Sequence, residues 1–433
     1  MKTKREHLHV NLNLNVRGLK TSSTLAINEK SHNLLKEGKK VFKFGLGQSP
    51  FPVPEIVVEA LRRNAHQKDY LPVKGLRSLQ EAVAAYNQRT QKLQTDPAYV
   101  LIGPGSKELI FLLQLVYYGD LIIPTPSWVS YSPQAHIIGR HVKWVPTREE
   151  NSWRLSYEDL EKICREDPDR PRIVILNYPS NPTGYTYPIE RLKLLAKVAR
   201  KYKVILVSDE IYGGIHHQGQ HVSIARFYPE GTIVSSGLSK WCGAGGWRLG
   251  TFSFPSNLSW LLDAISVVAS ETFTSTSAPI QHAAVTAFED HPEIDLYLHH
   301  SRRVLKSIAH YMTNSFHKMG LDIQLPQGGF YMFPNFGPFR QRLASHGIMN
   351  SYELATRLLD ETGVAVLPGS DFARNSEELT ARMAYVDFDG QLALLAAASL
   401  NSNGNGLNGS FVKEYCPKVV EGIERVGNWL SDL

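Results

Sequence analysis

The sequence contains little cysteine. Its 433 residues include only Cys164, Cys242 and Cys416, which lie far apart and are odd in number, so they show neither a metal-ligand spacing nor a disulfide framework. This usage favours a reducing compartment, and we predict a cytoplasmic location. Cys242 lies two residues after Lys240. We assign this thiol no catalytic role, because the lysine already accounts for the segment.

Long apolar runs and long basic runs are also missing. No stretch of 18 or more apolar residues occurs, so we expect no transmembrane helix and no membrane partner. Residues 1–19 are basic and polar without an apolar centre, unlike a secretory signal. The 47 Lys and Arg residues only slightly outnumber the 41 Asp and Glu residues. This modest, scattered excess argues against a nucleic-acid partner and suits small anionic substrates.

What is present from about residue 44 onward is an alternation of apolar strand patterns and amphipathic helical patterns. Such alternation predicts an α/β fold with a mainly parallel sheet covered by helices, and the chain length predicts more than one domain. The strand candidates are 100–102, 121–123, 141–145, 173–176, 204–207 and 232–234.

Outside this alternating region we predict further helices and a smaller α+β unit. A polar helical pattern at 22–40 follows a capping region that starts at Thr21, and a long helix is predicted at 294–318. The smaller unit has a strand at 328–333 and a helix at 351–361. Residues 401–410, rich in Asn and Gly, predict a flexible loop before one final helix.

The most informative segment surrounds Lys240. Small residues flank this lysine, so its amine can be approached closely and could form a Schiff base with a carbonyl. Arg248 follows a glycine-rich bend and could bind a phosphate on the same molecule. An aldehyde and a phosphate together describe pyridoxal phosphate. By itself the segment fits equally well a glycine-rich turn with an ordinary surface lysine and arginine.

Two further segments favour the cofactor. The apolar run 204–207 predicts a buried strand, and Asp209 lies at its C-terminal end. A second apolar run, 173–176, precedes the motif Asn-Pro-Thr-Gly that starts at Asn181. Open α/β sheets bind ligands at such carboxyl ends. In this order and spacing, the three segments resemble the fold-type-I, class I aminotransferases of the aspartate aminotransferase superfamily.

The resemblance covers nearly the whole chain. It implies a seven-stranded-type, mainly parallel sheet between helices, with pyridoxal 5'-phosphate as the cofactor. It also implies an N-terminal arm and helix at 1–45 that pack with the small domain, a large cofactor-binding domain at 46–310 and a small α+β domain at 311–433. Only about 20 residues precede the first family-like helix, so we do not expect the N-terminal DNA-binding domain of related regulators.

The resemblance also assigns roles around the cofactor. Asp209 would hold the pyridine nitrogen protonated, although an aspartate after a strand also suits a helix N-cap. Asn181 and Tyr212 would bind the ring hydroxyl oxygen, although Asn181 stands in a strong turn motif. Trp128 would stack on the ring, although tryptophan near a strand end is often core. The catalytic set is Lys240, Asp209 and Tyr212.

The phosphate is predicted to lie at a strand-to-helix junction that contains Gly105, Ser106 and Lys107, where helix-start N–H groups favour anions. No Walker loop and no well-placed complete Gly-x-Gly-x-x-Gly occurs, which weakens a nucleotide-binding interpretation. The family often has a serine three residues before the lysine. Here that position is Gly237, and Ser239 or Ser236 is expected to substitute.

Substrate and interface residues follow from the same resemblance. Arg382 would grip the α-carboxylate, Gly47 would contact it through its backbone, and Trp128 and Asn181 would also line the substrate site. Lys107 would contact a distal carboxylate, or is simply a solvated first-turn residue. Tyr70 matches a tyrosine lent to the neighbouring subunit's phosphate, which implies a homodimer with shared sites, and residues 274–277 are a second interface candidate.

We therefore predict an aminotransferase that moves an amino group from aspartate or glutamate to a 2-oxo acid. An aromatic or prephenate-type aminotransferase remains open. So does a β-lyase or an aminocyclopropane-carboxylate-synthase-like enzyme on the same scaffold, because these enzymes use Lys240 and Asp209 alike and differ in substrate orientation.

Overall fold

The protein is described here by a computed structural model that covers residues 12–19, 23–400 and 407–433. Within these residues the strands are β1 (Phe42–Lys43), β2 (Val100–Gly103), β3 (Asp120–Thr125), β4 (Val142–Pro146), β5 (Arg172–Asn177), β6 (Ile205–Asp209), β7 (Thr232–Gly237), β8 (Gly250–Ser253), β9 (Tyr331–Met332), β10 (Val364–Ala365), β11 (Leu367–Pro368) and β12 (Ala381–Ala384).

The α-helices in the same residues fall mostly between these strands and at both ends of the chain. They are α1 (Ser23–Lys36), α2 (Glu55–Asn64), α3 (Arg77–Gln91), α4 (Ser106–Val116), α5 (Tyr131–Ile137), α6 (Tyr157–Glu166), α7 (Ile189–Lys201), α8 (Ser259–Thr272), α9 (Ala278–Phe288), α10 (Pro292–Lys318), α11 (Arg340–Ser345), α12 (Ser351–Arg357), α13 (Gly390–Ser399), α14 (Gly409–Tyr415) and α15 (Pro417–Asp432). Among them, no helix is both long and apolar enough to cross a bilayer.

A seven-stranded sheet in the order β2-β8-β7-β6-β5-β3-β4 forms the centre of the molecule. Its neighbouring strands run parallel except at β8, which is antiparallel to both β2 and β7. The inner strands are nearly continuous apolar runs because helices cover both faces, with α4 and α8 packed together, and α6 and α7 packed together. The predicted fold class is confirmed.

Two smaller sheets stand apart from the central one. One joins β11, β12 and β9 with antiparallel pairing, and the other pairs β1 with β10 in parallel. The strand predicted at 328–333 is confined to Tyr331–Met332. Gly329 has φ +67°, outside the range of an extended strand, and Pro334 lacks the N–H needed to continue the ladder.

Helix boundaries differ from the predictions in two places. The predicted helix at 351–361 is α-helical only to Arg357, continues as a π-helical turn over Leu358–Thr362 and ends at Gly363, whose φ is +76°. The final helix is two helices, α14 and α15, because Pro417 starts a new first turn.

The predicted loop at 401–410 is also shorter at its C-terminal end. Its residues 409 and 410 are helical, since the Asn408 side chain caps α14 by accepting from the N–H groups of Ser410 and Phe411. Residues 401–406 lie outside the described residues, as do Thr21 and Ser22 of the predicted capping region.

The three cysteines are packed in the interior of the protein. Cys164, Cys242 and Cys416 are all free and buried, and burial raises the pKa of the Cys242 thiol to about 12. A thiol that remains protonated at neutral pH is a poor nucleophile, as expected for a residue with no catalytic role. Helix α10 runs without a break across residue 310, and the predicted domain boundaries stay predictions.

Candidate active site

A cavity of about 650 Å³ opens at the carboxyl ends of the parallel strands, where sheets of this type bind ligands. It brings together most of the predicted site residues although they are scattered from residue 47 to residue 382. Those that line it are Gly47, Ser106, Lys107, Trp128, Asn181, Asp209, Tyr212, Ser239, Lys240, Arg248 and Arg382.

Lys240 lies in the turn after β7 and points its amine into this cavity. The Nζ atom donates a hydrogen bond to the Gly47 carbonyl at 2.8 Å and stands 5.7 Å from the centre of the Tyr212 ring. Burial, together with the positive charges of Arg382 and Arg248, lowers the pKa of Lys240 to about 8. The amine is therefore closer to its neutral, nucleophilic form at physiological pH than a surface lysine.

Asp209, the last residue of β6, is only 3% exposed. Its Oδ2 accepts a hydrogen bond from the Tyr131 hydroxyl at 2.5 Å, whereas Oδ1 makes no hydrogen bond of normal geometry in the described chain. Burial raises the pKa of Asp209 to about 6, and the Tyr131 hydroxyl opposes part of that rise. A buried carboxylate oxygen without a donor is costly, so this atom is suited to receive an N–H or O–H group from a ligand.

The junction of β2 and α4 forms an anion-binding corner. Gly105 has φ +93° and precedes the first turn of α4. A Cβ at this position would overlap the Arg248 guanidinium, so only glycine allows the arginine to approach. Arg248 is held by the carbonyls of Gly245 at 2.9 Å and Pro104 at 3.4 Å.

Of the two serines considered for this corner, Ser239 lines the cavity and Ser236 does not. Ser239 also directly precedes Lys240, so an anion beside Arg248 and an aldehyde at the lysine can belong to one molecule.

Arg382, on β12, is the deepest cation of the cavity and is 2% exposed. Its Nη1 donates to the Asn181 side-chain oxygen at 3.2 Å and its Nη2 donates to the Gly45 carbonyl, while Nε has no hydrogen-bond partner. Burial lowers the pKa of Arg382, and nearby Tyr331, Tyr212 and Asp371 oppose that shift. A buried guanidinium with a free N–H is suited to a carboxylate ligand.

Trp128 and Lys107 are neighbours that line the same cavity. The Lys107 amine stands 5.2 Å from the centre of the Trp128 ring, and Trp128 meets Tyr131 edge to face at 5.2 Å. Much of Lys107 is exposed, yet partial burial of its amine and the charge of Arg248 lower its pKa. The lysine therefore faces the cavity from a first-turn position.

Two tyrosines of the site were missed by the sequence analysis. Tyr331 shares a hydrogen bond of 2.9 Å with the Tyr212 hydroxyl, and its ring lies 4.8 Å from the Arg382 guanidinium. Gly47 leaves room for it, since a Cβ there would overlap the Tyr331 hydroxyl. Tyr131 supports Asp209. Nothing in a Gly-Gly-Phe-Tyr run marks Tyr331 as a site residue, while Tyr131 stands within the Trp128 segment.

The structure does not bring Tyr70 or residues 274–277 into the cavity of this single chain. Tyr70 is 89% exposed, and Thr274 is also exposed with φ +61°. Their predicted place at a subunit interface stays a prediction.

Comparison with known proteins places this geometry in a family. The sequence profile of the family "Aminotransferase class I and II" matches residues 39–387. An aspartate aminotransferase from Geobacillus stearothermophilus is 34% identical over 367 residues, which cover 82% of this chain and 90% of the relative. An aspartate/prephenate aminotransferase from Thermus thermophilus is 31% identical over 367 residues, covering 84% of this chain and 91% of the relative.

Solved structures agree with the sequence comparison. The structure of aspartate aminotransferase from Thermus thermophilus with maleate superposes with a TM-score of 0.80 at 30% identity, covering 90% of this chain and 98% of that chain. An aspartate aminotransferase from Rhizobium meliloti gives a TM-score of 0.82 at 25% identity, covering 98% and 99% of the two chains.

The residues in hand fit the cofactor of this family. Pyridoxal phosphate carries an aldehyde, a ring N–H and a phosphate, and the cavity offers a buried lysine amine, an unpaired carboxylate oxygen and an anion-binding corner in one space. The chain belongs to the class I and II aminotransferases and is a pyridoxal-phosphate-dependent transaminase.

Proposed function

We propose that the chain transfers the amino group of L-aspartate or L-glutamate to a 2-oxo acid. The observation that carries this proposal is that Arg382, which is buried, and Lys107, which stands beside the Trp128 ring, line the same cavity as the Lys240 amine. A dicarboxylic amino acid presents two carboxylates, one for each cation. The names of the relatives, aspartate aminotransferase among them, support the same choice.

When bound, pyridoxal phosphate supplies an aldehyde that reacts with amines and a ring that withdraws electrons. We propose that Asp209 holds the ring nitrogen protonated, that Asn181 and Tyr212 bind the ring oxygen, and that Trp128 stacks on the ring. The phosphate group would be bound by Gly105, Ser106, Lys107, Ser239, Arg248 and the partner's copy of the residue at position 70. Each of the cavity-lining side chains in this proposal already faces the cavity.

Substrate positioning follows from the walls of the cavity. Arg382 would bind the α-carboxylate through its free Nε, beside Asn181 and the Gly47 backbone. A carboxylate held there would bring the substrate α-carbon towards Lys240, whose amine we propose accepts the α-proton and later donates it again. A pKa near 8 suits both halves of that transfer, because an acid and a base near the ambient pH exchange protons best.

The experiment that tests this function is an absorbance titration of the purified protein loaded with pyridoxal phosphate. We expect aspartate and glutamate to convert the cofactor from its aldehyde form to its amine form, and 2-oxoglutarate or oxaloacetate to reverse the change. Release of pyruvate or another elimination product, without conversion of the cofactor, would instead identify a β-lyase or a ring-forming synthase.

Substitution of Lys107 tests the dicarboxylate preference. In Lys107→Ala we expect kcat/KM for aspartate to fall about tenfold or more, the loss of one charge-assisted hydrogen bond. kcat/KM for phenylalanine should fall less, because its side chain carries no charge and any weakening of the proposed phosphate contact affects both substrates alike. The ratio of the aspartate value to the phenylalanine value should therefore decrease about tenfold relative to the wild type. The measurement is steady-state kinetics with both substrates, and equal losses for both would contradict a role in distal-carboxylate recognition.

An aromatic or prephenate-type substrate is the second candidate. The Trp128 ring, Val129 and Leu25 form an apolar side of the cavity, on which a ring-bearing substrate can pack. The Thermus thermophilus relative is named for both aspartate and prephenate. The same titration with phenylalanine or tyrosine ranks this candidate against aspartate.

We further propose a cytoplasmic homodimer with shared sites. The Tyr70 side chain is 89% exposed in one chain, which is unusual for a large aromatic ring and is consistent with a surface that a second copy covers. Three buried free thiols are consistent with a reducing compartment.

A further inference from the structure

Helix α10 carries basic residues that the reaction does not use. His299, Arg302, Arg303, Lys306 and His310 recur at spacings of three, four and seven, so they share one face of the helix. None of these residues lines the active-site cavity.

These side chains line a separate cavity of about 470 Å³, together with His217 and Gln218. Among the described residues no carboxylate lines this cavity, and no ion pair uses a residue of this basic face. The size falls within the range of about 300 to 1,000 Å³ typical of small-molecule sites.

The positive charge in this cavity is only partly committed to structure. Arg303 donates to the Ala397 carbonyl at 2.8 Å and to the Leu400 carbonyl at 3.1 Å, near the end of α13. In the part of the chain that the structure describes, Arg302 forms a hydrogen bond only through Nε, which donates to the Gly214 carbonyl at 2.9 Å. Lys306 is exposed and makes no hydrogen bond or ion pair within the described residues. The Nη groups of Arg302 and the Lys306 amine therefore remain free for a ligand.

The His217 side chain, which also lines this cavity, contacts the backbone of a distant segment. His217 is buried, and its two ring nitrogens lie 3.1 Å and 3.0 Å from the carbonyls of Pro326 and Gly329. Burial lowers the pKa of His217 to about 4, although hydrogen bonds to both carbonyls oppose that shift.

We propose that this cavity binds a small molecule with two or more negative charges on phosphoryl groups. Free cations that converge on one concave surface attract a polyanion, and a guanidinium and an ammonium together match tetrahedral phosphoryl oxygens, which accept from several directions. A carboxylate offers its two oxygens in one plane and therefore meets fewer of these donors.

The cavity is connected to the active site through the backbone. Arg302 holds the carbonyl of Gly214, two residues after Tyr212, and His217 contacts the carbonyl of Gly329, two residues before Tyr331. Tyr212 and Tyr331 bond to each other in the active-site cavity. An anion bound to Arg302 would therefore be joined to the segment that carries Tyr212 by a single hydrogen bond, the one from Arg302 to Gly214.

The test is isothermal titration calorimetry of the pyridoxal-phosphate-loaded protein with inorganic pyrophosphate. We expect saturable binding of one pyrophosphate per chain, weakened at least about tenfold in Lys306→Ala, because one charge-assisted contact is lost. The matched control is Lys318→Ala, an exposed lysine on the same helix outside the cavity, which should bind as the wild type does.

A second control separates this cavity from the active site. Lys107→Ala removes a cation of the active-site cavity and should leave pyrophosphate affinity unchanged. The proposal would be overturned if Lys306→Ala and Lys318→Ala bound pyrophosphate with equal affinity. It would also be overturned if only Lys107→Ala lost affinity for pyrophosphate. Tighter binding of citrate than of pyrophosphate would overturn the phosphoryl class. None of these outcomes depends on which amino acid the enzyme uses.

Discussion

Replacement of Lys240 by alanine is expected to reduce kcat by about 10⁴-fold or more, the upper end of the usual contribution of a general base. The loss should reach that end because the substitution removes two functions at once. In the proposed reaction the Lys240 amine, which now donates to the Gly47 carbonyl, reacts with the aldehyde of the cofactor, and it also moves the α-proton. Single-turnover absorbance with aspartate measures the effect directly.

The buried position of Lys240 makes a folding control necessary. The control is Cys242→Ala, which replaces a buried and chemically inert residue of the same segment. We expect kcat of this variant to stay within a fewfold of the wild-type value. In Lys240→Ala, a small added amine should restore part of the activity, because it can accept the α-proton in place of the side chain. Undiminished turnover in Lys240→Ala would remove this lysine from the reaction.

The second large effect is expected at Arg382. Loss of one partner of a buried, hydrogen-bonded charge pair costs about 2 to 5 kcal/mol, which corresponds to a decrease in kcat/KM of about 30- to 4,000-fold. Arg382→Leu removes the positive charge. Arg382→Lys keeps the charge but loses the planar guanidinium with its free Nε. We therefore expect kcat/KM of the lysine variant to lie between that of the leucine variant and that of the wild type. Steady-state kinetics with aspartate at saturating cofactor separates the three proteins.

A general effect of removing a buried arginine is tested by Arg172→Leu. Arg172 is also 2% exposed, but it lies at the start of β5, at the far end of that strand from the cavity, and donates to the Arg170 carbonyl at 2.9 Å. We expect this variant to lose stability while the folded fraction keeps its kcat/KM. Similar kcat/KM losses in Arg172→Leu and Arg382→Leu would mean that Arg382 acts through folding and not through the substrate carboxylate.

Local patterns in the sequence predicted the central part of the fold well. The apolar runs at 173–176 and 204–207 became β5 and β6, because a strand buried on both faces needs a continuous apolar segment. Strand prediction was less accurate where glycine and proline interrupt an apolar run. The run at 328–333 looked like a strand, but Gly329 and Pro334 restrict it to Tyr331–Met332.

Local features of the sequence indicate the chemistry of the chain, since a lysine after serine and glycine, an aspartate at a strand end and an arginine after a glycine bend can each be recognised without a structure. Which of these groups meet depends on contacts between distant segments. Tyr331 joins Tyr212, and Arg382 joins Asn181, across more than a hundred residues of chain. The pairing of sheets and the burial that lowers the pKa of Lys240 arise from packing between distant segments, and no local pattern encodes them.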